Sequence, residues 1–417
     1  MSTSKAKFIT LNRRRFLGSA AQVGLVGGLA MSAPGILRAA SDKITISVGR
    51  IPWAAGNAPM TAHMITHKLF EKHAANFGYD LTVDWRDYPT AMPQVEALVA
   101  NDLDMGMWGN TPIIRGIAAD LPLSLMVVGE GRLRFLITTR EGNGIRKPED
   151  LIGKTVGTLL GGDPYNAFSQ MLRWELGSAD PRELDINLIN TPVLSQAASV
   201  PAGMDASVSI QPMYLSAAKN GTRAIWSSYG KTEEYYEGPL GTGAGIELPS
   251  VRQSPFYPEG YYVHRSFWVL RNEIGEKHPD LVVAFMMAQQ EAVATLSAMN
   301  AGDVSQLVKD YWKLDPEDGA KVVNDDLIFA RGWAWPTESE ARAVQQASQY
   351  LVDGGVIEEG LSFDQVKNAF SLTAPLAKKA YDLLGAQTPD AEFTRTDVND
   401  LRGVPLWNMD EWTEKQS

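Results

Sequence analysis

From residue 42 onward the chain alternates short β-branched, apolar runs with longer runs whose apolar positions recur at helical spacing. That alternation predicts an α/β protein with strands buried between helices. Strands are predicted over 43–49, 81–85, 103–108, 123–128, 134–139, 154–158, 185–190, 206–210 and 223–226. Helices are predicted between them over 59–73, 91–101, 111–119, 164–176 and 212–220, several with proline in the first turn, where a missing N–H costs nothing. After Tyr261 helical periods dominate, over 280–298, 304–312, 316–323, 338–353, 363–370 and 375–384. The two α/β stretches divide near Glu141–Gly144. The expected organisation is lobe one at 42–138, lobe two at 139–259, a return to lobe one with its C-terminal helices at 260–385, and a polar, loosely ordered tail at 386–417. The run 134–139 would cross between lobes and 260–269 would cross back, with hinge closure around a cleft as the working motion. The segment 230–260, rich in Gly, Pro and Tyr and without a period, is a candidate lid.

The first 40 residues have a different texture. Lys5, Lys7, Arg13, Arg14, Arg15 and Arg38 are the charged residues there, with no acid among them. A basic start, a weakly apolar Gly/Ala-rich run over 18–31 and the small-residue exit at Ala39-Ala40 form a cleavable export signal. The arginine pair before Phe16-Leu17 points to the twin-arginine route. The apolar run falls short of the roughly 20 residues needed to span a bilayer.

Charge then narrows the partners. The chain has 38 basic and 49 acidic residues; without the six basic residues of the leader, 32 stand against 49, a net charge of −17. Such a surface disfavours nucleic acid and anionic lipid and suits a soluble, diffusing monomer. Cysteine is absent, which removes disulfides, thiolate ligands, cysteine nucleophiles and a lipid-modified anchor together.

Several blocks follow one another at recognisable spacing: 46–49 through Asn57-Ala58-Pro59, Gln94-Val95-Glu96-Ala97-Leu98, Asp102-Leu103-Asp104-Met105-Gly106, Gly109-Asn110-Thr111-Pro112, 148–157 and His278-Pro279-Asp280-Leu281-Val282. Over roughly 43–385 the chain resembles the periplasmic substrate-binding proteins of ABC importers for nitrate, taurine, aliphatic sulfonates and bicarbonate. The resemblance implies a two-lobed, type II periplasmic-binding-protein fold. Each lobe would be a mixed sheet flanked by helices, with a ligand cleft between them. It also implies a small anionic or zwitterionic ligand, delivery to an inner-membrane ABC permease, and no cofactor.

The residues themselves supply candidates for that cleft. Gly56 and Asn57 open the first helix beside Trp53; Trp108, Gly109, Asn110 and Thr111 repeat a strand-end, glycine, helix-start arrangement. Unpartnered N–H groups at helix starts can meet a ligand oxygen, although ordinary capping explains each pair taken alone. In lobe two, Gly162, Asp163, Tyr165 and Asn166 form the matching start. Asp163 stands where the family commonly has small hydroxyl residues: either it points away, or the ligand carries a cation or donor there. Gln211 replaces the glutamate common in relatives; it would bind an amide, carboxylate or hydroxyl group or, alternatively, stabilise its turn. Trp333 and Trp335 would stack on an apolar ligand body or, alternatively, clamp a satellite core. His63, His67 and Glu71 share one helical face, which reads as solvated rather than metal-binding. His264 on the return strand reads as a satisfied hinge residue, not a base. No nucleophile elbow or phosphate-binding loop stands out, so a binding protein rather than an enzyme is expected. The rivals are a ligand-presenting sensor, a desulfinase-like enzyme that lacks its cysteine here, and a pyrimidine-synthase-like enzyme.

Overall fold

The computed structural model describes residues 42–131, 133–191, 198–231, 247–257, 260–385 and 404–413. The predicted leader, most of the candidate lid at 230–260, and 386–403 and 414–417 of the tail lie outside the described residues. Two mixed five-stranded sheets form the frame. The first is built from β1 (Asp42–Arg50), β2 (Tyr79–Asp87), β3 (Met105–Trp108), β4 (Leu123–Glu130) and, arriving late in the chain, β10 (Ser266–Arg271), in the order β2-β1-β3-β10-β4. β1 runs parallel to β2 and β3, while β10 is antiparallel to both of its neighbours. The second contains β5 (Phe135–Arg140), β6 (Thr155–Thr158), β7 (Asn187–Asn190), β8 (Ala206–Ile210) and β9 (Thr222–Ser227), in the order β7-β6-β8-β5-β9. Here β5 is the antiparallel member against β8 and β9.

Burial explains why these runs carry apolar residues on both faces. β3, β4 and β8 are buried along their whole length, so β3 and most of β4 read as near-continuous apolar runs, while β8 alternates apolar residues with the buried Ser207 and Ser209. Behind sheet one lies the long helix Pro279–Ser297, whose Phe285 meets Phe70 and Trp268 edge-on at centroid distances of 5.2 and 4.9 Å. Each predicted strand corresponds to an observed one, and β10 emerges from the expected return run. The chain passes from sheet to sheet twice, between Glu130 and Phe135 and between Ser227 and Ser266.

Three differences from the expected elements have local causes. The helix expected over 59–73 is two, α1 (Asn57–Thr66) and α2 (Leu69–Ala75), separated at Lys68, which adopts φ +49°. That left-handed residue turns the chain so that both short helices bury their apolar faces. The next helix, α3 (Ala91–Val99), forms where expected, and its buried Gln94 accepts from the Met107 N–H of β3 at 2.9 Å. The run 304–312 splits into Ala301–Gln306 and Lys309–Trp312, and short helices at Asn272–Lys277 and Leu327–Arg331 lie outside the predicted elements. Finally, the described part of the expected loose tail is docked. Trp407 stacks on Tyr381 at 4.4 Å and meets Trp335 edge-on, Trp412 meets Phe370, and Pro405 bridges to Thr337. No described helix is long and apolar enough to cross a membrane.

Candidate ligand-binding cleft

The carboxyl ends of β1, β3, β4, β6 and β8 converge on one cavity, lined by Ile51, Gly109, Glu130, Leu159 and Ile210 just at or beyond those ends. Strand ends at a sheet crevice are where open α/β folds bind ligands. Trp53, Met92, Met107 and Leu133 complete an apolar wall, and Asp163 and His264 add polar groups. The space open to the centre of a water molecule is about 60 Å³, which fits a compact solute.

The polar groups are arranged in an unexpected way. Thr111 lies in the first turn of α4 (Asn110–Ala118) in lobe one, and Asp163 opens α5 (Asp163–Leu176) in lobe two. Asp163 Oδ1 nevertheless accepts hydrogen bonds from the Thr111 backbone N–H at 2.8 Å and the Thr111 hydroxyl at 2.7 Å. The Tyr262 hydroxyl donates to the same oxygen at 2.8 Å. A side-chain carboxylate of one lobe therefore occupies the helix start of the other, where the amide dipoles would otherwise hold an anion. Gly109 permits this approach, because a Cβ there would collide with the Asp163 carboxylate. Asn166 supports it by donating from Nδ2 to the Thr111 hydroxyl at 2.6 Å.

The other lobe-one helix start is also occupied. Glu130, at the end of β4, accepts from the Gly56 N–H at 3.3 Å at the head of α1. Burial, with the charge of Asp326 second, pushes its carboxyl up to about 8, while the Gly56 and Ala55 N–H groups act in the opposite direction. Burial likewise raises Asp326 to about 6. Asp326 caps the helix Leu327–Arg331 through the Ile328 N–H at 2.8 Å, and a Cβ on Gly56 would meet its Oδ2 at 2.6 Å. Burial holds His264 near 4, against the pull of Asp163, so its ring is neutral at pH 7; its Nε2 lies 3.8 Å from Asp163 Oδ2. Burial and then Asp163 keep the Tyr262 hydroxyl protonated.

Of the residues expected to bind ligand, Trp53, Gly109, Gly162 and Asp163 line the cavity, with the Trp53 indole N–H anchored to the Pro89 carbonyl at 2.8 Å. Gly56 and Thr111 hold the two carboxyls, and Asn166 holds the Thr111 hydroxyl; none of the three lines the cavity. Asn110 clamps the segment that returns to sheet one, donating to the Val263 carbonyl at 2.5 Å and accepting from the Arg265 N–H at 3.1 Å. Asn57 accepts from the Ile51 N–H at 3.4 Å and does not line the cavity; Trp108 is fully buried in the core behind the sheet. Tyr165 and Gln211 also lie off the cavity. The Gln211 backbone N–H donates to the Arg134 carbonyl at 3.4 Å, which continues the pairing of β8 with β5 one residue past Ile210. Trp333 lies under the Arg331 guanidinium at 4.0 Å and Trp335 packs against Tyr381 and Trp407, so the Trp-x-Trp loop is a core clamp and not a stacking platform. The residues that the sequence does not single out are Glu130, Ile51, Met92, Met107, Leu133, Leu159 and Ile210. Most share one signal, a position at or just after a strand's carboxyl end. Among the described residues no group of three His, Asp or Glu side chains could hold a metal ion.

Two mixed sheets, each with one antiparallel crossing strand, and a cavity at their strand ends define the type II periplasmic-binding-protein class. Within that class the chain belongs to the NMT1/THI5-like family, whose model matches residues 80–299. It is similar to the taurine-binding periplasmic protein of Escherichia coli (strain K12), with 24% identity over 259 residues covering 57% of this chain and 70% of that protein. The putative aliphatic sulfonates-binding protein of Bacillus subtilis (strain 168) is 24% identical over 295 residues, covering 67% of this chain and 79% of that one. The crystal structure of the periplasmic aliphatic sulphonate binding protein SsuA from Escherichia coli superposes with a TM-score of 0.54 at 18% identity, covering 77% of this chain and 91% of that chain. These named relatives are binding proteins.

Proposed function

We propose that this chain is the solute-binding component of an ABC importer, working in the periplasm after export through the twin-arginine route. It closes two lobes around a small organic solute and presents the closed form to a membrane permease, making and breaking no covalent bond. The observation that carries this reading is the cavity itself. Strand ends from both sheets wall it, and the Asp163 carboxylate that lines it from one lobe is bound by Thr111 of the other. Closure removes water from such a site and makes the bound form structurally distinct, which is what a permease can read. The absence of cysteine removes the nucleophile that a desulfinase-like reading needs.

Intrinsic tryptophan fluorescence and thermal melting of the mature protein test the reading against taurine, alkane sulfonates, nitrate, carboxylates, amines and pyrimidines. A solute that binds should raise the melting temperature in step with its affinity. Silence across the whole panel, or turnover of a panel compound, would refute it.

A further inference from the structure

The cleft's polar groups select a class of solute. We propose that it takes a solute with a positively charged, hydrogen-donating nitrogen head, an ammonium or amidinium, held by Glu130 and Asp163, with an apolar body against Trp53, Met92, Leu159 and Ile210. This rests on the solute-binding function proposed above and names the ligand class.

Three observations carry it. First, both helix starts that a sulfonate or nitrate would use in lobe one are filled by the protein's own carboxyls, Asp163 on the Thr111 N–H at 2.8 Å and Glu130 on the Gly56 N–H at 3.3 Å. An anion entering would meet the Asp163 carboxylate and find the backbone donors at both helix starts already taken. Second, among the described residues no lysine or arginine lines the cavity, and the one basic ring that does, His264, is neutral at pH 7. Third, His264 is only 4% exposed, and its Nδ1 has no hydrogen-bond partner. That nitrogen is also closed off from solvent, so Nδ1 offers an entering anion no donor. A cation seated beside Glu130 favours its ionised form, so the two carboxyls suit a head with several N–H groups. The small cavity and its apolar wall suit a compact hydrocarbon body.

Matched pairs that differ only in the head group provide the test: butylamine against butane-1-sulfonate, and benzamidine against benzenesulfonate, with taurine as the zwitterion. Isothermal titration and thermal shift on the full mature protein should show the cationic member binding at least about tenfold tighter in each pair. Glu130→Gln should weaken the cation by about tenfold or more, since a charged partner is lost. Asp163→Ala should weaken it too and, by freeing the Thr111 N–H, raise the affinity for the sulfonate. Circular dichroism checks that each variant is folded, and the wild-type ranking decides even where a variant is not. A sulfonate that binds wild type more tightly than its matched cation overturns the proposal while leaving the solute-binding reading intact. Binding of neither member, with silence across the wider panel, overturns both.

Discussion

Glu130 is a carboxyl that the fold keeps mostly protonated at neutral pH, because burial raises it to about 8 from an ordinary value of 4.5. The folded chain therefore holds this proton between those two values while the unfolded chain releases it. Stability present below pH 4.5 is lost as pH rises toward 8 and beyond. The full loss corresponds to a cost on the order of 5 kcal/mol at alkaline pH. Glu130→Gln removes that titration but keeps an acceptor for the Gly56 N–H. Its melting temperature should exceed that of wild type at about pH 9 and differ little at about pH 5, and equal differences at the two values would refute the assignment. His264 works in the other direction: held near 4, it contributes stability above 6.5 that is lost as pH falls through 4. Asp163→Ala leaves the Thr111 N–H and the Tyr262 hydroxyl without their acceptor, so urea unfolding should show a loss of about 2–4 kcal/mol. At this scale the sequence is only partly legible. Asp163 stands out as a departure from the family pattern, but its partner lies 52 residues away in the other lobe, a distance no local pattern spans. Glu130 ends an apolar strand without any motif around it, so only the convergence of strand ends brings it into view.

Strands and long helices are legible because burial on both faces writes continuous apolar runs, and amphipathic helices write their own period. Where an element ends early, a single residue decides it, as Lys68 does between α1 and α2 at φ +49°. The Trp-x-Trp loop shows the limit of pattern at this scale. Two tryptophans in a loop suit a stacking site and a core clamp equally well, and the choice depends on Tyr381 and Trp407, the latter in a segment expected to be loose. Trp335→Ala should therefore cost about 3–5 kcal/mol in chemical denaturation, as large aromatic truncations in cores do, and leave the ranking of ligands in the cleft unchanged. A change of ranking with unchanged stability would return the loop to the binding site.

Between the lobes, ion pairs reach across outside the cavity: Arg173 to Asp353, and Lys219 to Asp315 and Asp318 at 2.9 and 2.8 Å. The Lys219 and Asp315 side chains are well exposed, so water screens this pair heavily. Lys219→Ala should change unfolding stability by no more than about 1 kcal/mol, with less effect at high salt, measured by denaturant titration at two ionic strengths. A larger loss would make the pair a structural element of closure. The two-lobed plan follows from the alternation of elements and the family resemblance; the grip of one lobe's carboxylate on the other's helix does not, because it exists only once the lobes meet.

In sheet one, β10 sits between β3 and β4, in the interior, although the whole of the second sheet separates it from β4 in the sequence. Contacts of such long sequence span form late, after the intervening chain exists. A nascent chain that has emerged only as far as Ser227 already holds every strand of sheet two, yet its other sheet has a gap down the middle that no earlier segment can fill. During synthesis the insert should gain protection from hydrogen exchange first, while β1 to β4 stay open to solvent and to chaperones until Arg271 has left the ribosome.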